Sequence, residues 1–139
     1  MIVPVSSNEL LRDFQPDWID WFQERCISVE FEAGDYMIEG GHAAAGLYVL
    51  LEGRVFVLSN HGERIADVSA GSVIGEMALV DGGLRSADVV AETAVATLLM
   101  TKHQFQAIGR SRPEIALTVM TNLCRIMSSR VRHLHQLVG

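Results

Sequence analysis

Between residues 27 and 100 the chain is cut into short apolar runs by glycine-bearing turns, and this punctuation limits the fold more than any other feature. The runs are 27–31, 36–39, 47–51, 54–58, 64–68, 86–91 and 94–100. Ala33-Gly34-Asp35, Gly40-Gly41, Glu52-Gly53, Asn60-His61-Gly62 and Ala70-Gly71 separate them. Runs this short, closed by turn residues, cannot form amphipathic helices and read as strands of an antiparallel sandwich or barrel. The section 26–101 is long enough for an eight-stranded antiparallel β-roll of jelly-roll type.

Helical texture flanks this section on both sides. Residues 7–24 read as helical, with Ser7 or Asn8 capping a short first piece. Pro16 and Asp17 open a second piece, and Leu10, Leu11, Phe14, Trp18 and Phe22 are its expected buried residues. Residues 102–109 form a short helix, and Arg112-Pro113-Glu114 opens a long one that runs to 138. Along the long helix Leu117, Met120, Cys124, Met127, Val131, Leu134 and Val138 recur at alternating steps of three and four, the pattern of a helix seam. A second stripe, Val119, Leu123 and Ile126, runs beside it. One stripe suffices to dock the helix on its own roll. Two stripes fit either one wide docked face or a second contact, such as the same helix of another subunit.

The 139 residues suit one domain over 1–139: mainly β, with an N-terminal helical segment and two C-terminal helices over 102–138. With 49% hydrophobic and 20% charged residues the chain is not disordered, and no apolar run approaches the ~20 residues of a membrane span. No membrane insertion is expected, and no signal peptide is visible at the N-terminus. Cys26 and Cys124 give no disulfide framework and suit a reducing cytoplasm. The net charge of −6 argues against general nucleic-acid binding. The charge is unevenly spread, with five Arg against sixteen acids over 1–101, and six bases against one acid, Glu114, over 102–139. The basic segment either complements a helix dipole, or folds back on the acidic body or holds an anion.

The usual catalytic and metal-binding patterns are missing. There is no GxxxxGK[ST], no GxGxxG and no GxSxG. His133 and His135 lie two apart on a helix and cannot chelate one metal, and no HxH with a later Glu exists on a strand. No metal site, cofactor or catalytic residue is expected.

The segment 71–88 holds the candidate site. Gly75 ends a turn and lets backbone approach a ligand closely. Residues 76–80 can form one helical turn whose free amides at its start attract phosphate. Gly82-Gly83 reverses the chain and returns Arg85, whose planar guanidinium suits two phosphate oxygens. Ser86 adds a hydroxyl and Ala87 a backbone N–H. Glu76 repels phosphate but accepts from a sugar hydroxyl, so a carboxylate beside an anion site fits a nucleotide better than inorganic phosphate. Alternatively, Glu76 and Arg85 pair with each other on the surface.

Gly75-Glu76-Met77-Ala78-Leu79 followed by Arg85-Ser86-Ala87 resembles the phosphate-binding cassette of the cyclic nucleotide-binding domain family, of the kind found in bacterial regulators of the catabolite-activator type. Phe31, Gly34-Asp35, Ile38, Gly41, Leu47-Tyr48-Val49, Gly53-Arg54-Val55 and Gly71 fit the family's framework, and the similarity covers roughly 10–135. The resemblance implies that Arg85 and the backbones of Ala78 and Ala87 hold the cyclic phosphate. It implies that Glu76 and the Gly75 backbone hold the ribose 2′-hydroxyl, with Met77 in the same cassette. Ser86 reaches phosphate or a guanine amino group, Val73 and Leu84 line the pocket, and Arg130 or Leu134 serves as a lid on the long helix. Ile74 stands where many eukaryotic members have Phe, and Leu84 where Pro is frequent; neither touches the essential charges.

The implied function is a cyclic nucleotide sensor, with cyclic AMP favoured over cyclic GMP by the Ile-Gly-Glu and Arg-Ser-Ala pattern. Ligand binding would draw residues 112–138 against the roll. The implied partners are a second copy through helix 113–138 or an effector domain. A winged helix after the long helix has no room here, so DNA is not an expected partner. The alternatives are a ligand-free interaction or dimerisation domain of the same fold and, more remotely, a cupin-like metal-dependent enzyme.

Overall fold

The computed structural model describes residues 4–42, 45–76 and 87–138, with side chains through 133. Eight strands form two four-stranded antiparallel sheets. The first sheet takes the order β1 (Ile27–Phe31), β8 (Val95–Met100), β3 (Leu47–Glu52), β6 (Val73–Ile74). The second takes the order β2 (Tyr36–Ile38), β7 (Asp88–Ala91), β4 (Arg54–Leu58), β5 (Arg64–Ser69). The expected β-roll is therefore present. Seven strands fall on the seven apolar runs, and the eighth, β6, is a two-residue strand that the punctuation did not single out.

Strand β3, inside the first sheet, is buried on both faces over most of its length, which explains its unbroken apolar run. Leu47 and Val49 face the helices, where they meet Leu10, Phe22, Leu98, Met100, Ile115 and Leu123. Tyr48 and Leu50 face the second sheet, where they meet Ile38, Val55, Ile74 and Val89. A strand covered on both sides loses the polar alternation of a half-exposed one. The tight β3–β4 turn depends on Gly53, whose φ is +92°. A Cβ there would overlap the Ala94 carbonyl oxygen and crowd the Thr93 hydroxyl.

The N-terminal segment is less regular than its composition suggests. Two single 3-10 turns, Val5–Ser7 and Glu9–Leu11, precede α1 (Pro16–Arg25). The Asn8 side chain explains the break: Oδ1 accepts from Leu10 N at 2.9 Å, while Nδ2 donates to Ser72 O at 2.9 Å. An Asx-type cap that also ties the segment to the roll competes with continuous helix. Leu10, Leu11 and Phe22 are buried as expected; Phe14 and Trp18 are half-buried against them.

Helix α2 (Lys102–Ser111) starts with a reciprocal capping box: Thr101 Oγ1 accepts from Gln104 N, and Gln104 Oε1 accepts from Thr101 N. Helix α3 (Pro113–Val138) follows directly. Its buried stripe is Ile115, Val119, Leu123 and Ile126, not the seam of alternating threes and fours. On that seam Leu117 is 69% exposed and Val131 50% exposed, and Cys124 is exposed. Met120 and Met127 of the seam are half-buried against the core, so the docked face is wider than one stripe, and the seam's far flank of Leu117, Cys124 and Val131 stays open. Asn122, buried on the docked side, donates from Nδ2 to Leu10 O at 2.8 Å and Arg12 O at 2.7 Å, which fastens α3 to the N-terminal segment.

Candidate functional site

The described residues of the cassette lie at its two ends. Val73 and Ile74 form β6, at one edge of the first sheet, paired with Val49 and Tyr48. Val73 is fully buried on the helix side and Ile74 is buried between the sheets. Gly75 follows with φ at +79°, a left-handed turn that glycine adopts without strain. At the other end Ala87 leads into β7, inside the second sheet. Asp88 Oδ1 accepts from Gly40 N at 2.7 Å and holds the 39–42 turn beside this end. The cassette therefore leaves one sheet and enters the other. Met77, Ala78, Leu84, Arg85 and Ser86 lie outside the described residues, as does the side chain of Leu134.

Glu76 is the most constrained ionisable side chain at this edge. It is only 16% exposed, and its Oε1 accepts from Arg130 Nη1 of α3. Arg130 Nη2 donates to Val73 O at 2.8 Å and lies 3.9 Å from Glu9 Oε1. Glu9 Oε1 in turn accepts from Val73 N at 3.3 Å, and Glu9 N donates to Gly71 O at 2.9 Å. One guanidinium thus bridges the N-terminal turn, β6 and the start of the cassette. The fork geometry of Arg makes this three-way contact feasible where Lys would offer a single point charge.

This arrangement places Arg130, one of the two candidates expected for a lid, directly on the carboxylate expected to meet the ribose. Among the described residues the partner of Glu76 is Arg130; the expected alternative partner, Arg85, lies outside them. The second oxygen, Oε2, has no protein partner among the described residues and can accept from a hydroxyl. Glu9 is the member of the site that sequence reasoning missed. It sits 64 positions before Val73, and nothing in its neighbourhood signals a role there.

Other chemistry is sparse. Among the described residues no three His, Cys, Asp or Glu side chains come together in a way that could hold a metal. None of the described helices is long and apolar enough to cross a membrane. Burial pushes the Cys26 thiol up to about 12, which makes it a core residue rather than a nucleophile.

Comparison with known proteins decides the family. The model of the cyclic nucleotide-binding domain matches residues 28–112. The chain belongs to the cyclic nucleotide-binding domain family. Glutaminase 2 of Bradyrhizobium diazoefficiens is 34% identical over 129 residues, which is 93% of this chain and 20% of that protein. The crystal structure of a cyclic nucleotide-binding domain from Methylobacillus flagellatus superposes with a TM-score of 0.86 at 24% identity, covering 96% of this chain and 78% of the other. The catabolite activator protein of Thermus thermophilus gives 0.82 at 24% identity, covering 94% and 62%. The chain spans about a fifth of the length of the curated relative described, so its relatives carry this domain as one part of a larger protein. Family and fold are those of nucleotide-binding regulatory domains, and a cyclic nucleotide is the ligand class.

Proposed function

We propose that residues 1–139 act as one cyclic nucleotide sensor that binds cyclic AMP in preference to cyclic GMP and does no chemistry of its own. What supports this reading is Glu76, largely buried just after β6 and held there by Arg130, with its second carboxylate oxygen unpaired among the described residues. Arg85, Ala78 and Ala87 take the cyclic phosphate, Gly75 and Glu76 take the ribose, and Ser86, Met77, Val73 and Leu84 complete the pocket. The preference for cyclic AMP rests on the Ile74-Gly75-Glu76 and Arg85-Ser86-Ala87 pattern.

Closure involves less of α3 than the sequence suggests. Ile115, Val119, Leu123 and Ile126 are core residues, and exposing each would cost about 1.5–3 kcal/mol. The mobile part is therefore the stretch after Met127, with Arg130 as its contact to the site. Ligand shifts this stretch only by as much as its affinity differs between the open and closed forms. The exposed seam of Leu117, Cys124 and Val131 is the surface through which a second copy or an effector domain reads that position. The cytoplasm is the compartment this reading implies.

Calorimetric titration with cyclic AMP and cyclic GMP tests the proposal. The parent protein binds cyclic AMP more tightly. Arg85→Ala, which removes one partner of a buried charge pair, costs about 2–5 kcal/mol, or roughly 30-fold to several thousand-fold in affinity. If neither nucleotide binds the parent, the sensor reading fails in favour of a ligand-free interaction domain.

A further inference from the structure

Along the flank of α3 beside its buried stripe, a groove of about 600 Å3 opens against the N-terminal segment, lined by Arg12, Arg125 and Arg132 with Thr121, Ser128 and Ser129. Three guanidiniums at one groove are unexpected in a chain of net charge −6. The helix dipole does not explain them. Its influence fades within the last turn, and Arg125 and Arg132 both lie more than a turn before Val138. Arg12 comes from the opposite wall, outside α3 altogether.

Protein carboxylates account for only one of the three. Arg125 pairs with Asp13 at 3.2 Å and also donates to Asn122 Oδ1 at 3.3 Å. Arg12 and Arg132 have no acidic partner among the described residues. Glu9 lines only the smaller adjoining recess of about 190 Å3. The groove thus keeps about two uncompensated positive charges, and like charges held together repel unless an anion joins them. Two hydroxyls are also free to donate. Thr121 spends its proton on Leu117 O at 2.9 Å, whereas Ser128 and Ser129 have no protein partner among the described residues.

We propose that this groove is a second anion site, separate from the cassette, that takes a phosphoryl dianion between Arg12 on one wall and Arg125 and Arg132 on the other. A phosphoryl group carries close to two negative charges at neutral pH and presents three acceptor oxygens. That matches the charge left over and the mixture of guanidinium and hydroxyl donors. A carboxylate would satisfy one fork and leave the hydroxyls unused.

Cys124 lines the same groove and is exposed, while the Cys26 thiol is held protonated by burial. A thiol-directed reagent therefore reports on the groove. The experiment measures the alkylation rate of Cys124 as inorganic pyrophosphate is added, against sodium chloride at matched ionic strength. Pyrophosphate slows alkylation and chloride does not. Arg12→Gln and Arg132→Gln, both on exposed side chains, each weaken the protection about tenfold by removing a charge-assisted contact. Arg85→Ala leaves it unchanged. Equal protection by chloride, or full protection in Arg12→Gln, overturns the site. Loss of protection in Arg85→Ala would place the anion in the cassette and overturn it too. A phosphoserine peptide in place of pyrophosphate distinguishes the source: protection by both assigns a protein-borne phosphate, and protection by pyrophosphate alone a small molecule.

Discussion

The two halves of α3 are made of different materials. From Ile115 to Ile126 its inner side is apolar and buried in the same cluster as Leu10, Phe22 and Met100. Past Met127, the last apolar side chain described against that core, its inward contact is the Arg130 guanidinium, which meets Val73, Glu76 and Glu9 through polar groups. The first half has no low-cost alternative position, because leaving the core exposes several large side chains. The second half can exchange its partners for water or ligand groups at small cost. A helix divided in this way can be anchored and responsive at once.

The largest effect that would sharpen this division lies in the anchored half. Leu123→Ala should lower stability by about 2–5 kcal/mol in chemical denaturation. At a temperature where the variant is still folded, its nucleotide affinity should match the parent's. A loss of affinity without loss of stability would break the division. In the responsive half the pattern reverses. Arg130→Ala should weaken nucleotide binding by about 10- to 100-fold, the value of a hydrogen bond to a charged group, and change stability by less than about 1 kcal/mol. Titration calorimetry and denaturation on the same preparation separate the two. The smallest effect belongs to the outward seam. Leu117→Ser and Val131→Ser should leave monomer stability within about 0.5 kcal/mol of the parent. If the seam joins two copies, the same substitutions shift the sedimentation profile toward monomer; an unchanged profile would reserve the seam for a different partner.

The fold was largely legible because the signals that set it are local. Glycine-bearing turns and five-residue apolar runs located seven strands, and Pro113 marked the start of the long helix. The strand β6 was not legible, since Val73 and Ile74 become a strand only by pairing with β3. The choice between the two stripes of α3 was not legible either. Period alone fixes that a helix has an apolar side, and Leu117 and Val119 differ only in which meets the roll. At the site, the cassette carries its own local pattern, so Gly75 and Glu76 are legible as candidates by type, spacing and resemblance. Glu9 was not, because its contact to Val73 is made by the fold across distant segments. The basic C-terminal segment fits a helix dipole as well as an acidic body to fold back on, and charge pattern alone does not choose; the pairs Arg125 with Asp13 and Arg130 with Glu76 belong to the second reading.

If the Glu76 carboxylate recognises a ribose hydroxyl while Arg130 holds it in place, removing that hydroxyl from the nucleotide must weaken binding. The direct measurement compares cyclic AMP with its 2′-deoxy analogue, on the parent and on Glu76→Ala, by titration calorimetry. The parent should bind the deoxy analogue at least about tenfold more weakly, since the site's carboxylate loses its donor. Glu76→Ala should bind both nucleotides equally, which leaves a coupling of about 1.4 kcal/mol or more between carboxylate and hydroxyl. A parent that binds the two nucleotides alike, or a variant that still discriminates between them, would contradict the claim.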